Sequence, residues 1–162
     1  MKKHIILALA VCFIFTGCSC HKKPTDDGIQ PPVYDTRNVS RNATISANSF
    51  ITVENTGKVH IVWRDEVSGV SDIFYTYKAP DQNWAALVNI SNSSGTSMAS
   101  QIVRDPSGNL HAVWDEGLTP SGSYCAYANK PVSGNWSTPL DISGSPWGVL
   151  PQIGVDNFSI IV

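Results

Sequence analysis

Hydrophobic and polar positions divide the chain into two unlike parts. An unbroken apolar run of eleven residues, Ile5 to Phe15, stands alone near the N-terminus. Beyond it, apolar residues come in short alternating runs separated by Gly, Pro, Asn, Asp and Ser, the pattern of half-buried strands joined by turns. No later stretch of ten or more residues carries helical spacing. The clearest succession predicts four strands. Ser100 to Arg104 ends in the turn Asp105-Pro106-Ser107-Gly108-Asn109. Leu110 to Trp114 forms a second strand, and a polar loop from Asp115 to Gly122 leads to a third, Ser123 to Asn129. Pro131 to Asn135 turns into a fourth, Trp136 to Ile142.

This succession is one copy of a repeat. Gly57-Lys58-Val59-His60-Ile61-Val62-Trp63 returns as Gly108-Asn109-Leu110-His111-Ala112-Val113-Trp114, shifted by 51. Asn83-Trp84 returns as Asn135-Trp136, shifted by 52. A third landmark occurs three times, as Asn38-Val39-Ser40, Asn89-Ile90-Ser91 and Asp141-Ile142-Ser143. Gln101-Ile102 and Asp105 come back as Gln152-Ile153 and Asp156. Four short strands every 40–50 residues or so describe a β-propeller blade. A β-sandwich of two four-stranded sheets would satisfy the strand count, but nothing in it requires the sheets to repeat their sequence. The predicted fold is all-β, with two complete blades over about 49–91 and 100–143 and a third begun at 151. Closed propellers carry about 4 to 8 blades, so the expectation is a truncated ring, or one that blades of several chains complete. The apolar end from Phe158 to Val162 is expected to lack a partner strand within the chain.

The first residues read as an address. Lys2, Lys3 and His4 precede the apolar run, which at eleven residues suits a signal peptide better than a membrane span of roughly 20. Phe15-Thr16-Gly17-Cys18 resembles the bacterial lipobox, with Phe15 where Leu is usual. That resemblance implies cleavage after residue 17, lipid on Cys18 and display on the cell envelope, with Ser19 pointing to the outer membrane of a diderm host. Residues 18–32 read as a flexible tether rich in Lys, Asp and Pro. Residues 33–162 make up the partial propeller. Without the leader the chain holds 9 Lys and Arg against 13 Asp and Glu, a balance that argues against a nucleic-acid partner. Only Cys125 falls in the folded part, which excludes a disulfide framework.

Tyr75 to Ser91 and Tyr127 to Ser143 each run from a tyrosine-bearing strand through a turn to Trp and an apolar-Ser end. In this the chain resembles the BNR, or sialidase-like, propeller repeats. The Asp-box of that family is missing: Ala79 and Pro131 hold its Asp position, and Asn83 and Asn135 its Thr. The family's catalytic set comprises three arginines, a Tyr–Glu nucleophile pair and an Asp acid/base. No motif assigns those roles to Arg37, Arg41, Arg64 or Arg104. The resemblance implies a sialidase-like propeller without a recognisable catalytic constellation, and no catalytic residue is assigned.

Loops joining the second to the third strands would place Arg64, Asp65, Glu66, Asp115 and Glu116 on one face of such a ring, and Trp147 joins them from a fourth-to-first connection. Acids beside an aromatic suit sugar hydroxyls and the apolar face of a sugar ring. The plainer reading of the charges is solvation of a loop. His60 and His111 occupy equivalent repeat positions, which makes them structural histidines; no metal or other cofactor is expected. Trp63, Trp114, Trp84 and Trp136 are read as packing between blades. The expectation is a membrane-anchored lipoprotein that binds a glycan or a surface protein without catalysis and can self-associate through open blade edges. An inactive glycoside hydrolase fragment and a structural surface scaffold are the alternatives.

Overall fold

The computed structural model describes residues 37–67, 69–118, 122–144, 150–156 and 160–162. The expected signal peptide, tether and lipidated Cys18, and also Trp147, lie outside the described residues. The described residues are all-β, with no helix. Strands β1 (Ser46–Val53), β2 (Val59–Val67), β3 (Val70–Lys78) and β4 (Val88–Asn89) form a first antiparallel sheet in the order β1-β2-β3-β4. Strands β5 (Thr96–Arg104), β6 (Leu110–Leu118), β7 (Gly122–Lys130) and β8 (Leu140–Asp141) repeat it in a second sheet. A terminal pair, β9 (Gly154–Val155) and β10 (Ile160–Ile161), opens a third. Ile160 pairs with Val155 and Ile161 with Gly154, which corrects the expectation that the apolar end has no partner in the chain.

Strand lengths depart from the alternation pattern in instructive ways. β5 begins at Thr96, four residues earlier than predicted, because a bulge between Met98 and Gln101 lets the ladder resume on the other side of an irregularity. The first sheet carries the same bulge between Ala47 and Phe50. At the bulges Asn48 and Ala99 take φ of 53° and 54°, and Leu150, one further repeat along, takes 54°. β6 runs on to Leu118, so the expected polar loop from Asp115 is mostly strand. The outer strands shrink to two residues each: Pro139 directly precedes β8 and offers no N–H, and the stretch from Trp136 keeps only isolated bonds such as Ser137 N–H to Asn129 O, 2.8 Å.

The turns follow the predicted chemistry. Gly57 and Gly108, at φ 82° and 91°, close the β1–β2 and β5–β6 hairpins, with their N–H groups donating to Glu54 O and Asp105 O. The Asn/Asp-x-Ser landmark is a corner device. Asn38 Oδ1 accepts from Arg41 N at 3.2 Å, and Asn89 Oδ1 accepts from Asn92 N at 2.8 Å. Both acceptor turns drive the third following residue to positive φ, as at Arg41 and Asn92; the third copy places Gly144 there.

The core lies between the two four-stranded sheets. The first contributes Val62, Ile73, Tyr75 and Ile90; the second contributes Ile102, Leu110, Ala112, Trp114, Ala126 and Ala128. Three alanines on the second sheet let it approach closely while the fully buried Trp114 fills the remaining depth. Trp136 packs edge-on against Tyr75 with ring centroids 5.1 Å apart. Two of the repeated tryptophans thus do hold one sheet on the other.

Candidate functional site

The acids expected on an exposed loop are inside the sheets. Asp65 and Glu116 lie on β2 and β6 and are each 1% exposed. A residue two positions along a strand shares its neighbour's face, and in both sheets that neighbour is a tryptophan. Trp63 Nε1–H donates to Asp65 at 3.1 Å, and Trp114 Nε1–H donates to Glu116 at 2.9 Å. Asn42, Ser46 and Thr44 supply the other donors around Asp65, at 2.8, 3.1 and 3.4 Å. Ser93 and Ser97 do so around Glu116, Ser97 at 2.7 Å. A buried carboxylate is tolerated when its lone pairs are taken, and here they are taken by the strand's own indole and by the incoming corner. The expectation of exposure is therefore corrected for both.

Arg64 lies between Trp63 and Asp65 in β2 and faces the other side of the sheet, half-buried, with Nε–H donating to Ser71 Oγ at 2.9 Å. Glu66 is half-buried near the end of β2. Asp115 occupies the repeat position of Arg64 and is 6% exposed, with Oδ1 lacking a hydrogen-bond partner. Burial pushes its carboxyl pKa up, the charge of Glu116 pushes it further, and a hydrogen bond with Ser123 opposes both. Arg64, Glu66 and Asp115 thus lie on the sheet faces opposite those of Asp65 and Glu116.

His60 and His111 each stand in a chain of three side chains. His60 Nδ1 lies 2.8 Å from Tyr75 Oη, and Nε2 lies 2.9 Å from Glu54. His111 repeats the arrangement with Tyr127 at 2.8 Å and Asp105 at 3.2 Å. The carboxylates can only accept, so Nε2 carries the proton and Nδ1 accepts from the tyrosine hydroxyl. Desolvation holds the His60 pKa below the usual imidazole value against the pull of Glu54, and the His60 hydrogen bond holds Glu54 below the usual carboxylate range. Burial drives the Tyr75 phenol well above its ordinary pKa, so it stays a donor. The same chain in both sheets is a repeat-locking device, and among the described residues no group of three His, Cys, Asp or Glu is placed to hold a metal.

A sizeable concavity lies elsewhere, in the seam between the sheets. A groove of about 640 Å³ runs between β3–β4 of the first sheet and the β7–β8 connection of the second. Tyr75, Tyr77 and Trp136 supply its aromatic wall, and Asn89, Asn135 and Lys130 its polar rim. The indole Nε1–H of Trp136 is buried without an acceptor. Lys130 Nζ is anchored on Gly134 O at 2.7 Å. Lys58 lies over the Tyr77 ring, 4.6 Å from its centroid, in a smaller recess of about 150 Å³ that shares Tyr75, Tyr77 and Lys130. None of the loop acids lines this groove. The repeat marked Asn135-Trp136, the Asn89-Ile90-Ser91 landmark and Tyr75, without showing that they meet across a seam. Tyr77 has Asn129 as its counterpart, so nothing in the repeat marked it. A second concavity of about 370 Å³ gathers the positive-φ positions of all three repeats, with Asn48, Ala99 and Leu150 on its wall.

No family model, no curated protein and no solved structure matches the chain.

Proposed function

We propose that the protein is an envelope lipoprotein, anchored through Cys18, whose repeats are blades of a β-propeller of the sialidase-like kind and serve as a non-catalytic glycan-binding module. The propeller reading rests on repeated four-strand meanders whose first strands lie side by side, with the positive-φ residues Asn48, Ala99 and Leu150 facing one recess. The binding reading rests on one observation above all, the groove walled by Tyr75, Tyr77 and Trp136 and rimmed by amides. Aromatic rings offer area for the C–H face of a sugar at little entropic cost, and the exposed amide of Asn135 offers a donor and an acceptor to its hydroxyls. Asp65 and Glu116 hold indole and hydroxyl donors instead of facing a cleft, which favours binding over hydrolysis. A glycan array with the folded full chain tests the reading. Binding is expected, and Tyr77→Ala together with Asn135→Ala should weaken it about tenfold or more. A folded protein that retains no glycan would sink the proposal.

A further inference from the structure

The groove adjoins the smaller recess of about 150 Å³, with Tyr75, Tyr77 and Lys130 common to both. The strand ladders gather cations there. Lys58 stands in the hairpin just before β2, and Lys130 ends β7 opposite Leu110, on the face that the second sheet turns to the first. Lys58 Nζ lies 4.6 Å from the Tyr77 centroid and 3.7 Å from Glu54 Oε1, too far for a hydrogen bond, so that carboxylate takes none of its donors. Lys130 Nζ gives two of its three protons to Gly134 O at 2.7 Å and Pro131 O at 3.3 Å, which leaves one.

Charges in this corner do not balance. Among the described residues lining groove and recess, Glu54 is the one acid, and it already accepts from His60 Nε2 at 2.9 Å and from Thr56 Oγ1 at 2.9 Å. His60, its pKa lowered chiefly by desolvation, is neutral at pH 7. Two ammonium groups therefore face one engaged carboxylate, in a chain whose formal charge is −2. Burial, and after it the charge of Lys58, hold the Lys130 ammonium below the usual lysine pKa. Behind the Gly108 wall stands a third cation. A Cβ at Gly108 would come within 2.9 Å of Arg104 Nη2, and the Arg104 Nε–H is buried without an acceptor. Leu110, Pro131 and Val132 add apolar wall, which strengthens the field inside.

We propose that this recess receives a sulfate ester on a sugar held in the groove, so that the ligand is a sulfated glycan. The inference rests on the glycan-binding reading and specifies its ligand. Ammonium groups act as point charges that meet a tetrahedral oxyanion in any rotation. A planar carboxylate gains most from a guanidinium fork, and Arg104 does not line the recess. Three free ester oxygens answer the donors of Lys58, Lys130 and the Tyr77 hydroxyl. A phosphate ester offers the same tetrahedron, but the surplus of Lys58 and Lys130 over Glu54 matches the single charge of sulfate better than the near-double charge of phosphate.

A glycan array carrying sulfated, phosphorylated, uronate-bearing and neutral forms of the same backbones, probed with the full chain bearing Cys18→Ala, tests it. The sulfated form is expected to bind about tenfold or more tightly than the neutral one. Lys58→Gln and Lys130→Gln should each remove that preference and leave binding of the neutral form unchanged, whereas Tyr77→Ala weakens both. The Lys58 side chain is 33% exposed, so Lys58→Gln keeps the test sound should Lys130→Gln, which uncaps Gly134 O, lower the thermal midpoint. Lys78→Gln, next to Tyr77 in β3 but on the other face of the sheet, should change nothing. Equal binding of sulfated and neutral forms overturns this inference and leaves the glycan reading standing. A preference for the phosphate or uronate form overturns it too, as does a sulfate preference that survives both recess variants or is lost equally in Lys78→Gln. No binding of any form by the folded protein overturns both.

Discussion

Asp115 and Glu116 are neighbours with opposite circumstances. The side chain of Glu116 points to the tryptophan face and meets an indole and two hydroxyls. That of Asp115 points the other way and keeps one buried oxygen without a donor. Removing the charge should therefore help: Asp115→Asn is expected to raise stability by about 1 kcal/mol near neutral pH in urea unfolding. The folded pKa of Asp115 lies above its unfolded value, so the parent gains stability relative to the variant as pH falls and the carboxyl protonates; the advantage should fade in acid. Equal stability of the two proteins at neutral pH would contradict this account. His60 has the reverse sign. Its folded pKa is depressed, so below the ordinary imidazole range the unfolded chain takes up a proton that the folded one refuses, and stability falls. Glu54, also depressed, adds to the loss at lower pH. His60→Gln should flatten the decline between about pH 7 and 5, and melting curves across that window would show it. These two residues also mark the limit of what was legible. The period of 51 identified His60 as structural but could not reveal its tyrosine and carboxylate partners, which come from other positions in the strand ladder. The acids were misplaced because charge suggests exposure, whereas the Trp-x-acid spacing on a continuing strand points both side chains inward.

Among elements, the middle strands were the easiest to see, since β2, β3, β6 and β7 follow alternation and repeat together. The first strands were legible only in part. Their bulges displace the pattern by a position, and the three residues that take positive φ share no chemistry. Ala99 is strained there: a left-handed conformation costs a non-glycine residue about 1 kcal/mol or more. Ala99→Gly is expected to stabilise the protein by about 0.5–1 kcal/mol despite the extra chain entropy of glycine, measurable as a higher denaturant midpoint at unchanged slope. A lower midpoint would mean that the bulge is held by something other than backbone preference. Trp114 is the opposite case, an element-joining side chain wholly buried between the sheets. Trp114→Ala should cost about 3–5 kcal/mol and also leave Glu116 without its indole donor. The groove escaped the sequence for a related reason. It forms where two sheets meet, from Tyr75 and Tyr77 on one and Trp136 on the other, and alternation within a strand says nothing about what faces it across a seam.

For the molecule as a whole, the all-β meanders are what the repeat led one to expect, and location follows from a different part of the chain. If Cys18 carries the lipid, Cys18→Ala should release the protein from the membrane fraction and abolish acyl labelling, and persistence in that fraction would count against the lipobox.

The evenly spaced kinks at 48, 99 and 150 carry an implication for how such a chain can grow. Each of the two four-stranded meanders brings its own bulge, its own glycine hairpin and its own corner, and borrows only a packing face from its neighbour. A duplication or deletion of one whole period by unequal recombination would thus insert or remove a finished part, leaving every remaining sheet in register, whereas a change of a few residues would break one. Selection could then act on the number of parts before it acts on their residues, in keeping with Asn, Ala and Leu sharing one positive φ at the same repeat position.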